Sequence, residues 1–233
     1  MCRLFGFRSV ILSQVHSSLT SAENALVEQS EEHPDGWGVA YYLANSPHMV
    51  KSVQTAITDS LFKRVSGIVS SQTVIAHLRK ATIGQLSIIN THPFQHGKWV
   101  FAHNGNLKDF DKHRDTIAAT VDEDLRRYIL GTTDSEMIFY LVLHHMRQKH
   151  DIHDSDISVA VVADAIRDAV ADIERVVGKC CPDDNGDPTE TYLSFLLTNG
   201  KVMVGHQGGK RLFYSTYKSK CGDRETRDHA YGL

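Results

Sequence analysis

Cysteine is scarce in this chain. Its 233 residues carry four, Cys2, Cys180, Cys181 and Cys221, and no two are spaced C-x-x-C. That disfavours a structural zinc site and a thioredoxin-like redox motif, and four scattered thiols suit a reduced, cytoplasmic protein better than a disulfide framework. The adjacent Cys180 and Cys181 are not expected to bridge, because the backbone geometry of neighbours resists it. An excess of charge is missing too. Twenty-five Lys and Arg against 28 Asp and Glu give a formal net charge of −3, so no basic field exists to draw a nucleic acid. No apolar run approaches the roughly 18 residues that a membrane span requires, and Met1-Cys2-Arg3-Leu4 lacks a long apolar signal core. Repeats and low-complexity segments are absent. Nucleic acid and membrane are therefore not expected as partners.

The remaining composition, 41% hydrophobic and 23% charged, fits one ordinary domain able to bury its own core, expected to span residues 2–233. Strands and helices interleave without the regular alternation of a doubly wound sheet. Strands are expected over Arg3–Val10, Gly38–Leu43, Met49–Thr55, Thr73–Leu78 and Trp99–His103, which are rich in Val, Ile and aromatics. Three more are expected near the end, over Tyr192–Thr198, Val202–His206 and Leu212–Thr216. A helix is expected over Ser18–Gln29, broken by Pro34 and Gly36. Thr133–Lys149 opens with Thr-Asp-Ser-Glu, where Thr133 can cap the helix and Glu136 can reach back to it. Its apolar residues lie nearly all round, which predicts burial between layers. Ile157–Val177 carries its apolar residues on one face and is expected to cover the core from outside.

The chemistry-bearing residues sit in several separate places. Removal of Met1, favoured by a small second residue, would leave Cys2 with both a thiol and a free α-amine. The amine titrates near about 8 and can accept the thiol proton, so one residue would hold nucleophile and base. His103-Asn104-Gly105-Asn106 contains Asn-Gly, which suits a hairpin turn. It equally supplies the Asn104 amide and the Gly105 N–H as two donors for a tetrahedral oxyanion. Arg79, at the end of an expected strand, is a solvated cation or a planar fork for a carboxylate. Asp134 is favoured at a helix start by the dipole alone and could also bind an ammonium group. His144, His145, His150 and His153 lack the spacing of a zincin motif, so no metal is expected.

Taken in order, Met1-Cys2-Arg3-Leu4-Phe5-Gly6, Asp35-Gly36-Trp37-Gly38, His77-Leu78-Arg79-Lys80-Ala81-Thr82, Asn90-Thr91-His92-Pro93-Phe94, His103-Asn104-Gly105-Asn106 and Thr133-Asp134-Ser135-Glu136 resemble a known family. They look like the class II glutamine amidotransferase domain of the N-terminal nucleophile hydrolases, particularly its stand-alone members, over roughly residues 2–140. The resemblance implies an α+β fold, a four-layer αββα sandwich with two antiparallel sheets. It implies that glutamine or a related γ-glutamyl compound is cleaved at its side-chain amide through a thioester on Cys2, with no cofactor. Carried onto this chain, Arg79 would bind the substrate α-carboxylate with help from Thr82, and Asp134 the α-ammonium. Asn104 and Gly105 would form the oxyanion hole, and His92, Trp37 and Gly38 would lie near the site.

Lys80 and Ile83 stand where the family's larger synthases carry an aromatic residue and a histidine. A chain of this length is expected to hold the amidotransferase part and little else. Either ammonia passes to a separate synthase, or hydrolysis is itself the outcome. A glutamine-binding subunit with little turnover of its own is the alternative, and a second copy of the chain is a further candidate partner.

Overall fold

In the computed structural model, which describes residues 2–20, 25–185, 187 and 189–215, eight strands form two four-stranded antiparallel sheets. The first sheet runs in the order β1 (Arg3–Gln14), β4 (Ser70–Leu78), β2 (Trp37–Leu43) and β3 (Ser46–Ser52). The second runs β5 (Phe94–His96), β6 (Trp99–Asn106), β7 (Tyr192–Thr198) and β8 (Met203–His206).

Alternation along the strands divides the apolar residues among three interfaces. Ala40 and Tyr42 of β2, Ile75 of β4, and Val100 and Ala102 of β6 meet in a small core between the two sheets. Val39, Val74, Ala76 and Leu78 point the other way, against α1 (His16–Thr20), α2 (Leu26–Gln29) and α3 (Ser60–Ile68). Trp99 and Phe101 of β6 and Phe195 of β7 face α4 (Phe110–Thr120), α6 (Asp134–Lys149) and α7 (Val159–Val177), with α5 (Glu123–Arg126) at the side. Helix, sheet, sheet, helix is thus the αββα layering expected from the resemblance.

Helix α6 is buried through Asp134–His144 and again at Met146, as its all-round apolar pattern predicts. Helix α7 buries Val162, Ala165, Ile166, Ala169 and Ile173, one face at helical spacing. The Thr133 hydroxyl accepts from Glu136 N–H at 3.3 Å, but the reciprocal half of the expected capping box does not form. Glu136 instead accepts from Gly131 N–H at 2.6 Å and Leu130 N–H at 3.3 Å, because these loop amides are as short of acceptors as the helix start.

Other boundaries move. β1 extends to Gln14 past a register shift between Arg8 and Ser13, and β3 begins and ends three residues before the expected Met49–Thr55. The expected helix over Ser18–Gln29 is replaced by the short α1 and α2, with residues 21–24 outside the described residues. The expected strand at Leu212–Thr216 has no regular structure over 212–215; Thr216 and Cys221 lie outside the described residues.

Candidate active site

The register of β1 on β4 builds the site. Arg3 faces Leu78, so one step further brings Cys2 beside Arg79. Cys2 shares the alternation of Leu4, which lies against the inter-sheet core. Its side chain is nearly fully buried at 8% exposure. Lys80 N–H reaches Sγ at 3.4 Å, and Sγ lies 3.5 Å from Lys80 O. Burial pushes the Cys2 thiol above its ordinary value, opposed by the Lys80 contact and by the nearby Arg79 charge, while Asp134 pushes it further up. A buried neutral thiol needs a base beside it to act as a nucleophile.

The Asp35-Gly36 turn is pinned to the same strand end. Asp35 N–H donates to Arg79 O and Arg79 N–H to Gly36 O, while Ala81 N–H donates to the Asp35 carboxylate at 2.8 Å. Gly38 follows on β2, where a Cβ would stand 2.2 Å from His92 O; only glycine admits the 92–93 backbone so close. His92 itself is buried, 4.2 Å ring to ring from His77 and 4.7 Å from Phe94.

Arg79 is buried, and its guanidinium donates to three backbone carbonyls, Gln85 O at 3.1 Å, Ile83 O at 3.1 Å and Gly84 O at 3.2 Å. The arginine therefore clamps the loop that follows it. Three of its five donors are used, which leaves capacity for a further acceptor. Burial lowers its pKa, and Cys2, Asp35 and Asp134 oppose that shift. These three groups lie within electrostatic reach of one guanidinium.

Asn104 and Gly105 are not in a turn. They lie within β6, opposite Ser194 and Leu193 of β7, so the hairpin reading fails and the Asn-Gly pair is presented on a central strand. Asn104 shares the alternation of Val100 and Ala102, the residues facing the other sheet. Its Oδ1 is buried without a hydrogen-bond partner among the described residues. A Cβ on Gly105 would come within 2.0 Å of Tyr192 O and 2.6 Å of His103 Nε2, so this position admits no side chain.

Asp134 opens α6 and is 3% exposed. Oδ2 accepts from Leu107 N–H at 2.7 Å and Oδ1 from Ser135 N–H at 2.8 Å. Burial raises its pKa, against the pull of His103 and these hydrogen bonds. His103, which the sequence marks only as part of its motif, ties the site together. Its Nε2 meets Tyr192 O at 2.9 Å and its Nδ1 meets Ser135 Oγ at 2.9 Å. Burial lowers its pKa; the Tyr192 carbonyl requires the proton on Nε2, while the Ser135 hydroxyl lies between Nδ1 and Asp134 Oδ1, to which it donates at 3.2 Å. His77 Nε2 faces His103 O at 3.2 Å, and burial depresses His77 to about 3. This buried pair joins the two sheets behind the site.

Thr82 is exposed and lines, with Ile83, Lys108 and Thr189, a cleft of about 380 Å³ beside the end of β6. The sequence-derived set thus divides in two. Cys2, Arg79 and Asp134 converge electrostatically, and Asn104 and Gly105 sit on the strand bonded through Leu107 to Asp134. Thr82 stands at the neighbouring cleft, and His92 is packed into the wall behind. Among the described residues no group of three or more His, Cys, Asp or Glu is placed to hold a metal ion. His145 and His150 instead bond Asp172 and Asp154 at 2.9 and 2.8 Å.

Similarity to known proteins bears on the family and the fold. A probable glutamine amidotransferase of Saccharomyces cerevisiae is 25% identical over 227 residues, covering 88% of this chain and 62% of the relative. The gamma-glutamyl-hercynylcysteine sulfoxide hydrolase of Mycobacterium tuberculosis is 35% identical over 72 residues, 30% of this chain and 31% of the relative. Among solved structures, the glutamine phosphoribosylpyrophosphate amidotransferase of B. subtilis superposes with a TM-score of 0.55 at 16% identity, covering 89% of this chain and 37% of that one; this likeness speaks to the fold. The chain spans between 40% and 62% of the length of the first four relatives it matches. The model of the class-II glutamine amidotransferases matches residues 1–230, and the chain belongs to that family.

Proposed function

We propose that the chain cleaves the side-chain amide of glutamine or a related γ-glutamyl compound, with Cys2 as nucleophile. The observation that carries this reading is the convergence of Cys2, Arg79 and Asp134 where the two sheets meet, with Asn104 and Gly105 on the facing sheet. The α-amine of a mature Cys2 takes the thiol proton, and Sγ adds to the amide carbon. The resulting oxyanion receives the Asn104 amide and the Gly105 N–H. The carbon–nitrogen bond then breaks, and the proton taken by the amine leaves with the nitrogen as ammonia or a larger amine. Water attacks the γ-glutamyl thioester, releasing the glutamate carboxylate and restoring the thiol.

The ends of the substrate far from the reacting amide are held by opposite charges. Arg79 has two donors left for the α-carboxylate, and Asp134 has carboxylate lone pairs for the α-ammonium. Thr82 and His92 assist from the cleft and from the wall. A thiol nucleophile requires reducing surroundings, which favours the cytoplasm.

The test is release of ammonia or amine from glutamine and a panel of γ-glutamyl amides, with intact mass on the same preparation. Turnover by protein beginning at Cys2, lost in Cys2→Ala with unchanged circular dichroism, is expected. Parent-like activity in Cys2→Ala, or full activity with Met1 quantitatively retained, would overturn the reading. A subunit that only donates ammonia to a separate synthase would show negligible release in isolation and full release when that partner is added.

A further inference from the structure

A second cleft, of about 660 Å³, opens between β3, β5 and the helices α5 and α6. It shares no lining residue with the cleft beside Thr82, and its size lies within the range of small-molecule sites, about 300–1,000 Å³. Two of its cations carry no ion pair among the described residues. Lys51 donates from Nζ to Thr91 O at 2.8 Å and stands 5.7 Å from the centre of the Phe94 ring. Arg127 lays its guanidinium 5.1 Å over Tyr128. Arg147, on the same lining, differs: Asp122 and Asp124 neutralise it at 2.8 and 2.6 Å.

Glu136 is the carboxylate within electrostatic reach of Lys51, but its two oxygens are engaged by the Gly131 and Leu130 amides. The wall is aromatic. His96 stands edge-on to Tyr128 at 5.1 Å and to Tyr140 at 5.5 Å.

We propose that this cleft binds a small organic anion with a flat apolar body, its carboxylate or phosphate meeting Lys51 and Arg127 and its ring lying among Phe94, Tyr128 and Tyr140. The cleft holds unmet positive charge. A half-buried ammonium served by one carbonyl and a ring face is poorly compensated, and burial pushes Lys51 down to about 8. An arriving anion would restore the missing partner. A flat body would exclude water from the pair and strengthen it, since charges interact more strongly in low dielectric. The aromatic wall selects against a bare inorganic anion, which would leave the rings facing water.

The proposal is independent of the glutamine reading, and its test is chosen accordingly. Benzoate and phenyl phosphate are titrated calorimetrically into the protein at low salt, beside inorganic phosphate, which has no ring, and benzyl alcohol, which has no charge. At least one of the two aromatic anions should bind about tenfold more tightly than either control; which one binds distinguishes a carboxylate from a phosphate head.

Lys51→Met and Arg127→Gln should each weaken that binding about tenfold or more, and Cys2→Ala should leave it unchanged. The bound anion should also slow acylation of Lys51 by acetic anhydride, read by peptide mass. Should Lys51→Met fold poorly, the exposed Arg127→Gln and the acylation readout still decide. Aromatic anions that bind no better than the controls, affinity indifferent to both substitutions, or acylation of Lys51 unaffected by saturating ligand would each overturn the assignment.

Discussion

Replacing Arg79 with lysine keeps the positive charge and removes the planar fork. In the structure that fork donates to three carbonyls of the 83–85 loop, two from Nη2 and one from Nη1, whereas one ammonium on a shorter reach cannot span both nitrogen positions and is expected to keep one of the three. Two hydrogen bonds are therefore lost. Gly84 and Gln85 are exposed, so their carbonyls regain water, and the loss is that of ordinary net hydrogen bonds, ~0.5–1.5 kcal/mol each, or ~1–3 kcal/mol together. For a chain of this size each kcal/mol lowers Tm by ~2–4 °C, which gives a fall of roughly 2–12 °C.

The same substitution should raise the KM for glutamine strongly, because the α-carboxylate loses a bidentate partner and the loop carrying Thr82 and Ile83 loses its clamp. Differential scanning calorimetry and steady-state kinetics on the same preparation check both effects. An unchanged Tm would refute the clamp. An unchanged KM alongside a lowered Tm would refute the carboxylate contact and leave Arg79 a purely structural residue.

Asn104→Ala removes a donor whose interaction grows as the oxyanion forms, so kcat should fall about a hundredfold or more with KM little changed; an effect on KM alone contradicts the oxyanion role. Asp134→Asn should raise KM, and it should also lower Tm by a few degrees, because an amide NH₂ would then oppose the Leu107 or Ser135 N–H that the carboxylate now accepts. Untouched glutamine turnover would remove Asp134 from the substrate's ammonium.

Lys51 offers a test by pH. Burial lowers it from 10.5 to about 8, so across that window the unfolded chain holds a proton that the folded one has released, and stability attributable to Lys51 rises with pH. The wild type should gain on Lys51→Met by at most ~3 kcal/mol between those limits in denaturant titrations. A difference that stays flat contradicts the depressed lysine.

The strand cores were legible because enrichment in Val, Ile and aromatics is a local signal, and β2, β4, β6 and β7 all lie where those residues put them. The buried helix α6 was legible for the same reason, its apolar residues and its Thr133 cap being neighbours in the chain. Ends were less legible. β1 outran its apolar core because Ser13 and Gln14 pair with Ser71 and Ser70, which its own residues do not reveal. Of the candidate site, Cys2, Arg79, Asn104, Gly105 and Asp134 were marked by residue type and by the order of their motifs. His103 and Ser135 stood inside those motifs without any signal that they bond one another.

The sequence by itself determined the family, through an ordered set of short motifs, and the chemical types of the groups that meet at Cys2. Only the tertiary structure decided what each group is committed to. Asn104 and Gly105 are strand rather than turn because β7, some ninety residues later, supplies the pairing that a hairpin would have made locally. Arg79 is clamp as well as cation because its guanidinium is buried against loop carbonyls. Lys51 left no mark in the sequence, since its unmet charge comes from the aromatic and backbone groups that other strands and helices pack around it. Periodicity and residue type act over a few neighbours, while burial and hydrogen-bond partnership are set by segments that meet only when the sheets close.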